Sequence, residues 1–173
     1  MNLDKIDIRE KDAGIILTAF PGRTVNNEFS MEKMRLILDH LEDQRCNHFI
    51  SLVEDHEFDQ YCSKSVFQNE ISKRPFKWLH LPIADMDIPD TNLMNDLDKL
   101  RPNFLTSLSS GNSIAIHCKG GLGRSGTLAA MILFDLGFKP QEAIEHVRSF
   151  RAGAIETQEQ ENFIRLLAKV MTY

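Results

Sequence analysis

The stretch HCKGGLGRSG, residues 117–126, constrains this chain more than any other. It follows a short apolar run, SIAIHC (113–118), and leads into SGTLAAMILFDLG (125–137), which reads as strand, glycine-rich turn and helix. A turn of that kind holds phosphate on backbone N–H groups at a helix N-terminus. Two motifs overlap in it. Read from Gly121 it is G-x-G-x-x-G, a dinucleotide-binding turn; read from Cys118 it is a cysteine and an arginine separated by five residues, a cradle that sets a thiolate against a phosphate.

The context separates the two. A dinucleotide turn needs a following strand that ends in an acid about 20 residues beyond the glycines. After Gly126 come a helix stopped by Gly137 and two further helical patterns, KPQEAIEHVRSFR (139–151) and ETQEQENFIRLLAKVM (156–171). Glu142 and Glu145 lie at the right distance but on a helical pattern. A nucleotide-binding P-loop lacks its lysine, since Arg124 stands there. The thiolate reading, by contrast, uses every residue. Cys118 at a strand end, beside a helix N-terminus and a guanidinium, is favoured as the anion that attacks phosphorus. Gly120, Gly121 and Gly123, with Lys119 before them and Leu122 among them, let the backbone wrap a tetrahedral dianion. Arg124 offers a planar fork for two equatorial oxygens. The Ser125 hydroxyl can bond the sulfur as it leaves, and His117 holds the loop and tunes the thiolate; His117 and residues 119–124 are together expected to contact the bound phosphate.

Expelling an alkoxide or phenoxide requires a proton, and the same group, once ionised, can activate the hydrolytic water. PIADMDIPD (82–90) follows a strand pattern expected to end at the same sheet edge. Asp90 precedes a helical pattern and reads as an N-cap. Asp85, nearest the strand end, is the expected acid, with Asp87 second.

The rest of the chain alternates buried runs with amphipathic stretches. Strands are expected over 13–20, 47–53, 76–83 and 113–118, and helices over 30–44, 62–70, 91–109, 125–137, 139–151 and 156–171. This is an α/β pattern, a mostly parallel central sheet flanked by helices, in a single catalytic domain over 1–173. A net charge of −5 argues against nucleic acid or an anionic membrane as main partner. No apolar run reaches the roughly 18 residues of a membrane span, and the charged start, MNLDKIDIREKD, is not that of a secretory signal. Three cysteines (Cys46, Cys62 and Cys118) are too few for a disulfide framework, so a cytoplasmic protein is expected, with Cys46 or Cys62 as redox partners of Cys118 an open reading.

HCKGGLGRSG with an upstream PIAD resembles the dual-specificity members of the cysteine-dependent protein tyrosine phosphatase superfamily. FPGRT (20–24), LPIADMDIPD (81–90), HCKGGLGRSGTLAA (117–130) and VRSFRAGAIETQEQENF (147–163) resemble, in order, the kinase-associated phosphatase (cyclin-dependent kinase inhibitor 3) group. The resemblance implies the dual-specificity type of the protein tyrosine phosphatase fold, a nucleophile at Cys118, a phosphate-binding Arg124, a general acid at Asp85, and no metal or organic cofactor. It places a water-positioning glutamine near Gln158 or Gln160 and an arginine pair at Arg148 and Arg151, read as ties between the late helices and the loop. A phosphorylated protein substrate, a protein kinase among the options, and a monomer are expected. The only tyrosines are Tyr61 and Tyr173, so no tyrosine-rich segment builds a deep phosphotyrosine pocket, which fits phosphoserine and phosphothreonine as well. Lys119 also occurs in phosphoinositide phosphatases, which usually carry a second lysine where Leu122 stands; a lipid or other non-protein phosphate is therefore the alternative, and a phosphoprotein-binding module without turnover the second.

Overall fold

The computed structural model describes residues 3–8 and 12–170. Five strands form one sheet in the order β1-β2-β5-β3-β4: β1 (Leu3–Asp7), β2 (Gly14–Thr18), β3 (Cys46–Ser51), β4 (Lys77–His80) and β5 (Ser113–His117). β1 pairs antiparallel with β2; every other pairing is parallel. The mostly parallel α/β sheet is therefore as expected, with one addition. β1 falls in the charged N-terminal stretch where no strand was expected, because only Ile6 of its five residues is buried and no alternation betrays it.

Alternation along the central strands sends side chains to opposite faces. Ile15, Leu17, Ile114 and Ile116 face a cluster completed by α4 (Thr91–Ser109), α5 (Gly123–Asp135), α6 (Pro140–Phe150) and α7 (Gln158–Val170). Ile16, Phe49 and Ala115 face the other cluster, under α1 (Met31–Asp43), α2 (Asp55–Phe58) and α3 (Lys64–Ile71). α1 buries Met34, Ile37, Leu38 and Leu41, the stripe read from its spacing, and Ser30 caps it by accepting from Lys33 N. Asp90 caps α4 at Leu93 N, 2.7 Å, which is the role its position before the helix implied. α5 is buried along its whole first three turns, so the turn at 119–122 is clamped between a central strand and a central helix. The last helix was expected to reach Met171, which lies outside the described residues.

Parallel strands deliver their carboxyl ends to one edge, where an open α/β sheet collects ligands. Cys118 follows β5, Leu52 follows β3, and residues 81–85 follow β4 there. The opposite edge holds Cys46, which pairs with Ser113 at the start of β5, whereas Ser51 pairs with His117 at its end. Five strand residues separate those levels by about 16 Å, beyond the reach of a disulfide. Cys46 is therefore no redox partner for Cys118. Burial pushes the Cys46 thiol up to about 12 and the Cys62 thiol up to about 11, which favours the thiol over the thiolate in both.

Candidate active site

The turn after β5 is a cradle because its carbonyls are pulled outward. Lys119 O accepts from Phe20 N (3.2 Å) and Arg23 NH1 (2.9 Å). Gly120 O and Gly121 O accept from Arg151 NH2 (3.1 Å) and Nε (2.9 Å). Leu122 O accepts from Gly126 N (3.0 Å) and Ile155 N (3.2 Å). No described peptide bond is cis, and across a trans peptide the next residue's N–H points opposite to the carbonyl. The N–H groups of Gly120, Gly121, Leu122 and Gly123 therefore face away from those anchors, a nest for an anion. Gly121 N donates to Cys118 Sγ at 3.2 Å, which ties the nest to the sulfur. Gly121 has φ +72°, and a Cβ there would lie within 2.5 Å of Ala19 N and Thr18 O, which requires glycine. Ser125 Oγ lies 3.5 Å from the sulfur on its other side.

Arg124 is 2% exposed, with its guanidinium held at the point where three strands end. NH1 donates to Ile83 O (2.9 Å), and a fork to Glu57 spans 2.6 and 2.9 Å. NH2 also meets Asp85 Oδ1 at 2.9 Å. Burial works against the guanidinium's charge, and Glu57, Cys118 and Asp85 outweigh it, holding the group above its ordinary value. Burial likewise pushes Glu57 up, but hydrogen bonds from Arg124 and the Glu54 backbone bring it below the usual carboxylate range. Glu57 is the residue sequence reasoning missed: EDHEFD reads as an acidic turn, whereas residues 55–58 form α2 with Glu57 buried.

Asp85 thus stands at the guanidinium with half its side chain in solvent. Asp87 turns away: its Oδ1 accepts from Ile88 N at 2.8 Å, and its carbonyl accepts from Gln160 Nε2 at 3.0 Å. Gln160 is fully buried, and its Oε1 accepts from Glu156 N and Thr157 N, so it straps the acid loop to the segment before α7. Gln158 is an exposed helix residue bonded to Asn162. Of the arginine pair, Arg151 reaches the turn and also Asp4 of β1 (2.6 Å), while Arg148 binds Ala154 O and Ile155 O.

His117, expected among the phosphate-contacting residues, is placed behind the turn instead, fully buried among Phe20, Phe49 and Phe67. Trp78 Nε1, a donor only, gives its proton to Ser51 Oγ at 2.8 Å. The one Ser51 proton then goes to His117 Nε2 at 2.6 Å, which leaves the imidazole proton on Nδ1, facing Cys118 O at 3.3 Å. This tautomer follows from the network. Burial drives the His117 pKa down to about 3. Its folded value lies below the unfolded value of about 6.5, so its contribution is complete above that pH and drains as pH falls. About 2 kcal/mol of stability should be lost between pH 6.5 and 5 from this group. Urea unfolding at the two pH values measures it, and His117→Asn should flatten the slope; an equal slope in both proteins would contradict the assignment.

Comparison with known proteins places this geometry. Residues 28–164 match the family model described as PTP-SAK: Swiss Army Knife protein, DSP-PTPase phosphatase domain. The chain belongs to that family. Cyclin-dependent kinase inhibitor 3 of Rattus norvegicus is 38% identical to this phosphatase-family chain over 88 residues, 49% of the chain and 40% of the relative. The match thus spans well under half of that relative's length. Protein tyrosine phosphatase type IVA 2 of Mus musculus is 26% identical over 137 residues, 76% of the chain and 81% of the relative. A crystal structure of kinase associated phosphatase, with its catalytic-site cysteine substituted by serine, superposes with a TM-score of 0.81 at 23% identity, covering 100% of this chain and 97% of that one. At that identity the likeness is one of fold. No described helix is long and apolar enough to cross a membrane.

Proposed function

We propose that the protein is a dual-specificity protein phosphatase that works through a phosphocysteine at Cys118. The observation that carries the reading is the Gly121 N–H donated to the Cys118 sulfur at 3.2 Å, in a turn whose carbonyls are anchored on the opposite side. A phosphomonoester enters with its oxygens on the nest and on Arg124, and Sγ attacks phosphorus opposite the ester oxygen. The P–O bond breaks as the S–P bond forms, and Asp85 gives its proton to the departing oxygen. Water then attacks phosphorus, Asp85 takes a proton from it, and the sulfur leaves as thiolate, stabilised by Gly121 N–H and Ser125 Oγ–H. Electrostatic stabilisation of the equatorial oxygens by preorganised donors is the largest contribution such a site makes. Lys119 and Leu122 serve through their backbone, and His117 acts behind the loop.

Both phosphotyrosine and phosphothreonine fit this reading, because Tyr61 does not wall a deep slot. It is buried, stacks on Phe20 at 4.5 Å and donates to Asn27 Oδ1 at 3.0 Å, and so belongs to the packing under the 20–29 loop. The names of the relatives, one a kinase inhibitor and one a kinase associated phosphatase, support a phosphorylated protein as substrate, a kinase included. Phosphate release from matched phosphotyrosine and phosphothreonine peptides, under reducing conditions and beside a phosphoinositide, tests it. Release from both peptides is expected. Release from the lipid alone would assign the site to a non-protein phosphate.

A further inference from the structure

One cradle donor is already engaged by the chain itself. Gly123 N donates to Glu156 Oε2 at 2.7 Å, and a Cβ at Gly123 would lie 2.6 Å from that oxygen. Glu156 is otherwise exposed, and its own backbone N–H is fixed by Gln160 Oε1 at 3.0 Å. A carboxylate thus sits where the anion-binding turn meets α5, on a segment that Gln160 ties through Asp87 O to the loop carrying Asp85. Nothing in the proposed chemistry uses it.

We propose that Glu156 is an internal competitor for the phosphate cradle, one that keeps the site free of orthophosphate while phosphoproteins still bind. The inference rests on the reading of the turn as a phosphate cradle. An N–H engaged by a carboxylate serves a second anion poorly, and two like charges in contact repel. Every phosphate that enters must displace Glu156 or share Gly123 N–H with it. Orthophosphate, the reaction product, has no further contacts to offset that cost. A protein-borne phosphate does, through the polypeptide around it, and spends part of its remote binding energy on the displacement. The carboxylate therefore weakens product inhibition and favours product release.

The test is the orthophosphate dissociation constant of the full chain, reduced, by isothermal titration calorimetry, for the wild type, Glu156→Gln and Glu159→Gln. The amide keeps an oxygen for Gly123 N–H and removes the charge; Glu159, exposed on the same segment, controls for net charge. Glu156→Gln should bind orthophosphate about fivefold more tightly, the size of a contact repulsion between like charges in nearly aqueous surroundings. Glu159→Gln should match the wild type. A lesion in loop structure would weaken binding, so a gain separates competition from positioning. Equal or weaker binding in Glu156→Gln, or equal tightening in both variants, would overturn the inference. Failure of all three to bind orthophosphate would remove the cradle reading along with it. Failure of the catalytic reading is seen separately, as turnover that survives Cys118→Ser.

Discussion

Replacing Asp85 by Asn is expected to lower kcat on a phosphothreonine peptide by a factor of about 100 to 10,000, the range general acid catalysis supplies. The loss should shrink on an aryl phosphate whose leaving group departs without a proton, because only the poor leaving group needs Asp85. KM should not rise. Asp85 Oδ1 holds Arg124 NH2 at 2.9 Å, so removing its charge frees the guanidinium for phosphate. Asp87→Asn serves as the comparison, since its carboxylate is committed to Ile88 N and its link to Gln160 runs through the carbonyl. Steady-state kinetics on the two substrates decide it. A loss that is equal for both leaving groups, or one seen only in Asp87→Asn, would contradict the assignment of the acid.

Glu57→Gln is expected to damage both stability and turnover. Glu57 and Arg124 are 2% exposed each, and both carboxylate oxygens bond the guanidinium. The amide would turn an N–H₂ toward an N–H donor and leave a buried charge with half its partner. Breaking a buried pair from one side costs about 3 kcal/mol, here with little solvent to soften it. Asp85 on NH2 and the carbonyls of Ile83 and Leu52 on NH1 remain as partners, but the fork that sets the plane of the guanidinium is lost. Turnover should fall by about a hundredfold as the oxygen-binding plane tilts, in line with removal of a donor to developing charge. Urea unfolding and kcat on one substrate read the two effects. Unchanged stability would mean that Glu57 does not hold Arg124.

The parts of the site that were legible in sequence are contiguous. A phosphate cradle needs its cysteine, glycines and arginine within one turn, so residues 117–126 announce the chemistry without the fold. Helices with a buried stripe, such as α1, and caps such as Asp90 are legible for the same reason: the interactions are local. Glu57 lies 67 positions from Arg124, and nothing around it in EDHEFD distinguishes it from its acidic neighbours. β1 escaped because an edge strand with one buried side chain carries no alternation. The arginine pair was read as tying late helices to the loop, and Arg151 does so through Gly120 O and Gly121 O. Which carbonyls it takes, and that it also takes Asp4, only three-dimensional proximity could show. Glu156 was unremarkable among five acids and amides between 156 and 161 for the same reason. Short-range chemistry was readable, and side chains that meet across the sheet edge were not.

The most direct test of the account is phosphate release by the reduced protein from matched phosphotyrosine and phosphothreonine peptides, with Cys118→Ser in parallel. The account predicts release from both peptides by the wild type, a covalent phosphoryl adduct on Cys118 when turnover is quenched in acid, and neither release nor adduct in the serine variant. Turnover that persists in Cys118→Ser, or an adduct on any other residue, would contradict it.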